Sequence, residues 1–240
     1  MKDLRKRDAA GAVASNSADV SAFLAQAAKI APREGEPGRL VFALDATMSR
    51  QPTWDAACRL QGEMFREVGR AGAGMLAVQL VYFRSMSECR ASAWVSDTDA
   101  LADLMSGIQC RGGLTQIGKV LTHVRREGAK TGEGEGRINA LVFVGDAMEE
   151  EIDTLAHRAG ELGLLGVPAF MFQEGRDPKA ERAFREIARL TRGAYMRFDQ
   201  GAAAELGRLL RAVARFATGG RRALESSTDR TDRLLLEQLR

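Results

Sequence analysis

The chain has 240 residues, of which 45% are hydrophobic and 28% charged, and its formal net charge is +3. That length and apolar content suffice for one sizeable core with extensions, and so mild a charge balance does not by itself imply nucleic acid, which is not the expected partner. The three cysteines, Cys58, Cys89 and Cys110, fit neither a zinc spacing nor a disulfide framework. The basic start is followed by no apolar signal region, and no apolar run reaches bilayer length, so a soluble cytoplasmic protein with reduced, buried thiols and no membrane contact is expected.

Residues 1–16 read as a flexible tail of small residues and mixed charge. Residues 17–38 read as a short amphipathic helix ending near Ile30, followed by a linker broken by Pro32, Gly35, Pro37 and Gly38. From residue 39 strands and helices alternate. Residues 39–44 (RLVFAL) form a nearly continuous apolar run, as expected of a strand buried on both faces. A helix is predicted over 53–68, a strand over 75–83 (MLAVQLVYF) and another over 90–95. The gap between these two strands is too short for a crossover helix, so they should form an antiparallel hairpin at a sheet edge. Helices are predicted over 97–108 and 115–126, separated by the loop QCRGGL at 109–114. A strand follows at 138–144 (INALVFV), then a helix at 149–162 and a strand at 167–172 (VPAFMF). The last units are a helix at 178–191, a strand at 194–198 and a helix at 202–216.

Repeated strand–helix units predict an α/β fold: a doubly wound, mostly parallel sheet with one antiparallel edge strand and helices on both faces. The domain is expected over 39–218. Gly219 and Gly220 mark its end, and 219–240 is expected to be a helical extension with Leu234, Leu235, Leu236 and Leu239 apolar.

In an open α/β sheet, ligands bind beyond the carboxyl ends of the strands. Three segments fall there: Asp45-Ala46-Thr47-Met48-Ser49 after the first strand, Gly112-Gly113-Leu114-Thr115 at the start of the helix feeding the third parallel strand, and Gly145-Asp146-Ala147 after that strand. They offer carboxylates and hydroxyls, with no His or Cys. Hard oxygen donors suit Mg²⁺, Mn²⁺ or Ca²⁺ and disfavour zinc.

On these residues the chain resembles the von Willebrand factor A (VWA) family. Its metal-ion-dependent adhesion site (MIDAS) has the pattern Asp-x-Ser-x-Ser, a distant Thr and a distant Asp. The matching residues are Asp45, Thr47 and Ser49, with Thr115 and Asp146. Thr47 departs from the commonest Ser and keeps the hydroxyl; Ala147 replaces a frequent Gly. The resemblance covers residues 39–216. It implies a Rossmann-like VWA topology and a metal held by Asp45, Thr47, Ser49, Thr115 and Asp146. It also implies a protein partner whose Glu or Asp fills an open coordination position, commonly within a multi-protein assembly.

Other readings compete. The same metal could serve a phosphate-ester hydrolase, although no nucleophile or general base is evident beyond Asp45, and a second Asp two residues on is replaced by Thr47. The domain could instead be a structural scaffold with a vestigial metal site, in which the terminal helices carry the interactions. His123 and His157, each in a predicted helix, assemble no Ser-His-Asp logic. Gly128-Ala129-Lys130-Thr131-Gly132 lacks the glycine spacing of a phosphate loop. Glu149, Glu150 and Glu151 are expected to favour the N-terminus of the helix they open.

Overall fold

The computed structural model describes residues 37–47, 51–71, 75–85, 87–130, 136–199 and 202–239. All belong to one compact unit, Pro32–Arg240. The tail and helix expected over 1–36, and Ser49, lie outside the described residues.

Six strands form one sheet: β1 (Gly38–Asp45), β2 (Leu76–Arg84), β3 (Glu88–Val95), β4 (Ile138–Gly145), β5 (Ala169–Glu174) and β6 (Ala194–Phe198), in the order β3-β2-β1-β4-β5-β6. β3 runs antiparallel to β2 at one edge, and every other pair is parallel. The expected doubly wound sheet with its antiparallel edge hairpin is therefore present. Connections leave β1 toward one side and return to β4 on the other, which places a topological switch point between β1 and β4.

Alternation along the central strands explains their continuous apolar runs. Leu40, Phe42, Leu44, Val78, Leu80, Val142, Val144, Phe170 and Phe172 face one layer. That layer contains α1 (Gln51–Ala71), α2 (Thr98–Ser106), α6 (Ala203–Glu225) and α7 (Arg230–Gln238). Val41, Ala43, Val81, Phe83, Leu141, Phe143 and Met171 face the other, made by α3 (Ile117–Gly128), α4 (Ile152–Leu164) and α5 (Pro178–Thr191). A strand covered on both faces has no polar side to display, so period-two patterning disappears from its sequence.

Local chemistry sets several boundaries. Asp97 accepts from Ala100 N at 2.8 Å to start α2, and Asp177 accepts from Ala180 N at 2.7 Å to start α5, with Pro178 in the first turn. Two expected starts move. α3 begins at Ile117, leaving Thr115 in the preceding loop, and α4 begins at Ile152, leaving Glu149 and Glu150 ahead of it. The final helix continues past Gly219 to Glu225. It bends at Gly220, where φ 63° and ψ −158° suit glycine alone. α7 then packs on α6 and β6 through the buried Leu235 and Leu239. Among the described residues, no helix is long and apolar enough to cross a membrane. Cys110 is buried and Cys58 and Cys89 are half-buried.

Candidate functional site

β1 ends at Asp45, which is 3% exposed and beside Phe83 of β2. Leu44 lies opposite Val144, so Asp45 and Asp146 leave the sheet next to each other at the switch point. Asp45 Oδ1 accepts Thr47 N at 2.7 Å, an Asx-type bond that turns the chain immediately after the strand. This bond fixes the Asp45 carboxylate and draws Thr47, 6% exposed, back over the strand end.

Hydrogen bonds tie the loop before α3 to each of the other two. Arg111 N donates to Ala46 O at 2.9 Å, holding the loop before α3 against the loop after β1. Thr115 donates through both its N–H (3.0 Å) and its hydroxyl (2.5 Å) to Glu149 Oε2, and Glu149 N returns a bond to Thr115 Oγ1 at 3.3 Å. The loop before α3 is thereby held against the loop after β4. Asp45, Thr47, Thr115 and Asp146 thus occupy three loops at one edge, the loop before α3 being bonded to the other two. Ser49 lies outside the described residues.

Gly113 rests directly on the β2–β3 turn. A Cβ there would stand 2.3 Å from Ser85 N and 2.4 Å from Ser85 O. Ser85 itself has φ 57°, and its carbonyl accepts Leu114 N at 3.4 Å. Gln116 extends this clamp through Nε2 bonds to the carbonyls of Arg84, Ser85 and Glu88. Thr115 is therefore positioned by the hairpin on one side and Glu149 on the other.

The glutamates expected to serve their own helix serve a different one. Glu150 accepts Gly118 N through Oε1 at 3.0 Å and Oε2 at 3.2 Å, capping α3, whose N-cap Gln116 makes no side-chain cap bond. Burial raises the Glu150 pKa above its ordinary value, opposed by the Gly118 and Ile117 N–H groups and by Arg158. Only Glu151 stands at the α4 N-cap, and its side chain makes no cap bond.

Glu174 was not singled out in the sequence. It ends β5, is 2% exposed and, because Gly145 lies opposite Gln173, comes next to Asp146 in register. It accepts the hydroxyl of Thr53 in the first turn of α1. An acid at the carboxyl end of a mostly apolar strand is the signal that marks it, much as it marks Asp45 and Asp146.

Among the described residues, no three His, Cys, Asp or Glu side chains form a metal cluster. A cation here would rest on two carboxylates completed by hydroxyls. Those donors fit a hard ion: each is oxygen, and a Thr115 hydroxyl that gives its proton to Glu149 keeps lone pairs for a metal.

No protein-family model and no curated protein sequence matches this chain. Solved structures do match. A von Willebrand factor type A protein from Catenulispora acidiphila superposes with TM-score 0.59 at 15% identity, over 77% of this chain and 43% of that one. The SpRpn10 VWA domain does so with TM-score 0.53 at 12% identity, over 71% of this chain and 94% of that one. Proximal thread matrix protein 1 from the mussel byssus gives TM-score 0.56 at 19% identity, over 76% of this chain and 48% of that one. The chain thus has a VWA-like fold.

Proposed function

We propose that the chain is a metal-dependent protein-binding module of the VWA kind, acting by binding and without catalysis. Asp45, Thr47, Ser49, Thr115 and Asp146 would hold Mg²⁺, or Mn²⁺ or Ca²⁺ in its place. A Glu or Asp of a protein partner would bind at the same edge. The observation that supports this reading is the placement of two strand-end acids and two buried threonines on neighbouring loops at the switch point, the loop before α3 being bonded to the other two. The fold supports an interaction role in general terms, because the structures it resembles include the SpRpn10 VWA domain and a pilus adhesin. A bound divalent ion would supply an electrophilic point charge for the partner's carboxylate. The chain's own part is to fix Asp45 through Thr47 N and Thr115 through Glu149.

The test is calorimetric titration with Mg²⁺ and Mn²⁺, alongside recovery of partners from lysate with and without EDTA. Asp45→Ala should abolish metal binding and the EDTA-sensitive partners while leaving the circular dichroism spectrum unchanged. Equal recovery with EDTA, or with Asp45→Ala, would overturn the metal reading.

A further inference from the structure

A second site lies between edge strand β3 and helix α3. A cavity of about 390 Å³ opens there, lined by Arg90 from β3, Lys119 and Arg126 from α3, and Arg158 from α4, with Cys89 and His123 between them. Four cationic side chains from three elements share one concavity, and among the described residues no carboxylate lines it. Bringing like charges around a cavity is unfavourable unless an anion enters it.

The compensation already present is incomplete. Arg90 pairs with Glu88 at 3.1 Å, at the exposed rim. Arg158 acts on Glu150, whose carboxylate is committed to Gly118 N. Among the described residues, Lys119 donates to neutral oxygens, Ser87 O at 2.9 Å and Gln116 Oε1 at 2.7 Å. Among the described residues, neither Lys119 nor Arg126 has a carboxylate within ion-pair distance.

We propose that this cavity binds the dianionic phosphoryl group of a phosphate monoester. Guanidinium forks match phosphate oxygens bidentately, and an ammonium adds a point charge, so Arg90, Arg126, Arg158 and Lys119 form a donor set suited to three terminal oxygens. The volume lies in the ordinary range for small-ligand sites and exceeds what a bare phosphate needs. The ligand is therefore phosphate carried on a larger group, either a small molecule or a phosphorylated side chain.

His123 provides a reporter. Gln79 Nε2 donates to Ser92 O at 3.0 Å, so its Oε1, 2.8 Å from His123 Nε2, must accept, and Nε2 carries the proton. Burial pushes the ring below its ordinary pKa; Lys130 and Arg126 act in the same direction and Glu127 opposes them. The ring is thus neutral at physiological pH and sits among the cationic donors. The only other histidine, His157, is exposed on α4.

The experiment follows both imidazole signals by NMR in the full chain, without divalent metal. Inorganic phosphate is added at constant ionic strength, at a pH high enough for it to be mainly the dianion; monoesters, whose second pKa is about 6, are then dianionic as well. The His123 signals should shift saturably while those of His157 stay fixed. Arg90→Gln with Arg126→Gln, both exposed positions, should weaken binding at least about tenfold. Arg182→Gln on α5 should not. Phenyl phosphate and a phosphoserine peptide are then compared, and the tighter of the two identifies the carrier. Unmoved His123, equal movement of both histidines, undiminished binding in the double variant, or no gain from either ester would overturn the proposal. Because no metal is used, the result is independent of the carboxyl-edge site.

Discussion

Glu149 is exposed and looks like an ordinary surface acid, yet it is the residue that orients Thr115, through three hydrogen bonds spanning 34 positions of sequence. Partners that orient a metal ligand typically change affinity by about 10–100-fold when altered. Glu149→Gln should weaken Mg²⁺ binding within that range without lowering the melting temperature, as calorimetry and thermal unfolding would show. Glu150 differs because its role is structural and its charge is half-buried. Its pKa is raised by burial, so the stability it contributes is complete below its ordinary value of 4.5 and is lost as pH rises through the folded value. Once ionised, the group is less well accommodated in the folded protein than in the unfolded chain. Glu150→Gln keeps an oxygen for Gly118 N and removes that cost. In urea unfolding the variant should be more stable than wild type at pH 7, and the gap should close toward pH 4. A less stable variant at pH 7 would mean that the charged acceptor's bond to Gly118 outweighs its desolvation.

Elements built from continuous apolar runs were legible in the sequence because burial on both faces leaves no other pattern, as in residues 39–44 and 138–144. Asp45 and Asp146 were legible for the same reason, as the first acids beyond such runs. Helix starts were less so. Local capping logic assigns Glu149 and Glu150 to the helix they precede, whereas their bonds go to Thr115 and Gly118 across the sheet edge. The glycine pair at 219–220 reads as a stop, but burial of Leu224, Leu235 and Leu239 beyond it carries the helical chain onward. In the loop Gly112-Gly113-Leu114-Thr115 the two glycines look alike in sequence and differ in space. Nothing lies within 4 Å of a Cβ at Gly112, whereas Gly113 would strike the Ser85 backbone, which has no flexible end to move. Gly113→Ala should cost about 1–3 kcal/mol in unfolding measurements and weaken metal binding by shifting Thr115. Gly112→Ala should do neither.

Across the whole molecule, the C-terminal extension is bound to the fold by charge as well as by leucines. Arg215 of α6, 9% exposed, bonds Glu67 of α1 at 2.6 Å and the fully buried Asp232 of α7 at 2.6 Å. Arg215 Nε and Asp232 Oδ2 are buried without a hydrogen-bond partner, so the cluster is costly to assemble and more costly to break. Deleting residues 228–240 would leave Arg215 with Glu67 as its close partner and would remove the buried Leu235 and Leu239 from the core, and should lower the unfolding free energy by at least about 3 kcal/mol. The same helix touches the far end of the sheet. Gln238 Oε1 accepts Tyr195 N at 2.8 Å, taking up a main-chain donor of edge strand β6. An edge whose N–H groups lose their cover is a template on which another chain can add a strand. The shortened protein should therefore self-associate as its concentration rises, visible as growing mass in light scattering, while the full chain stays unchanged over the same range. On this view α7 guards the sheet against aggregation as well as stabilising it.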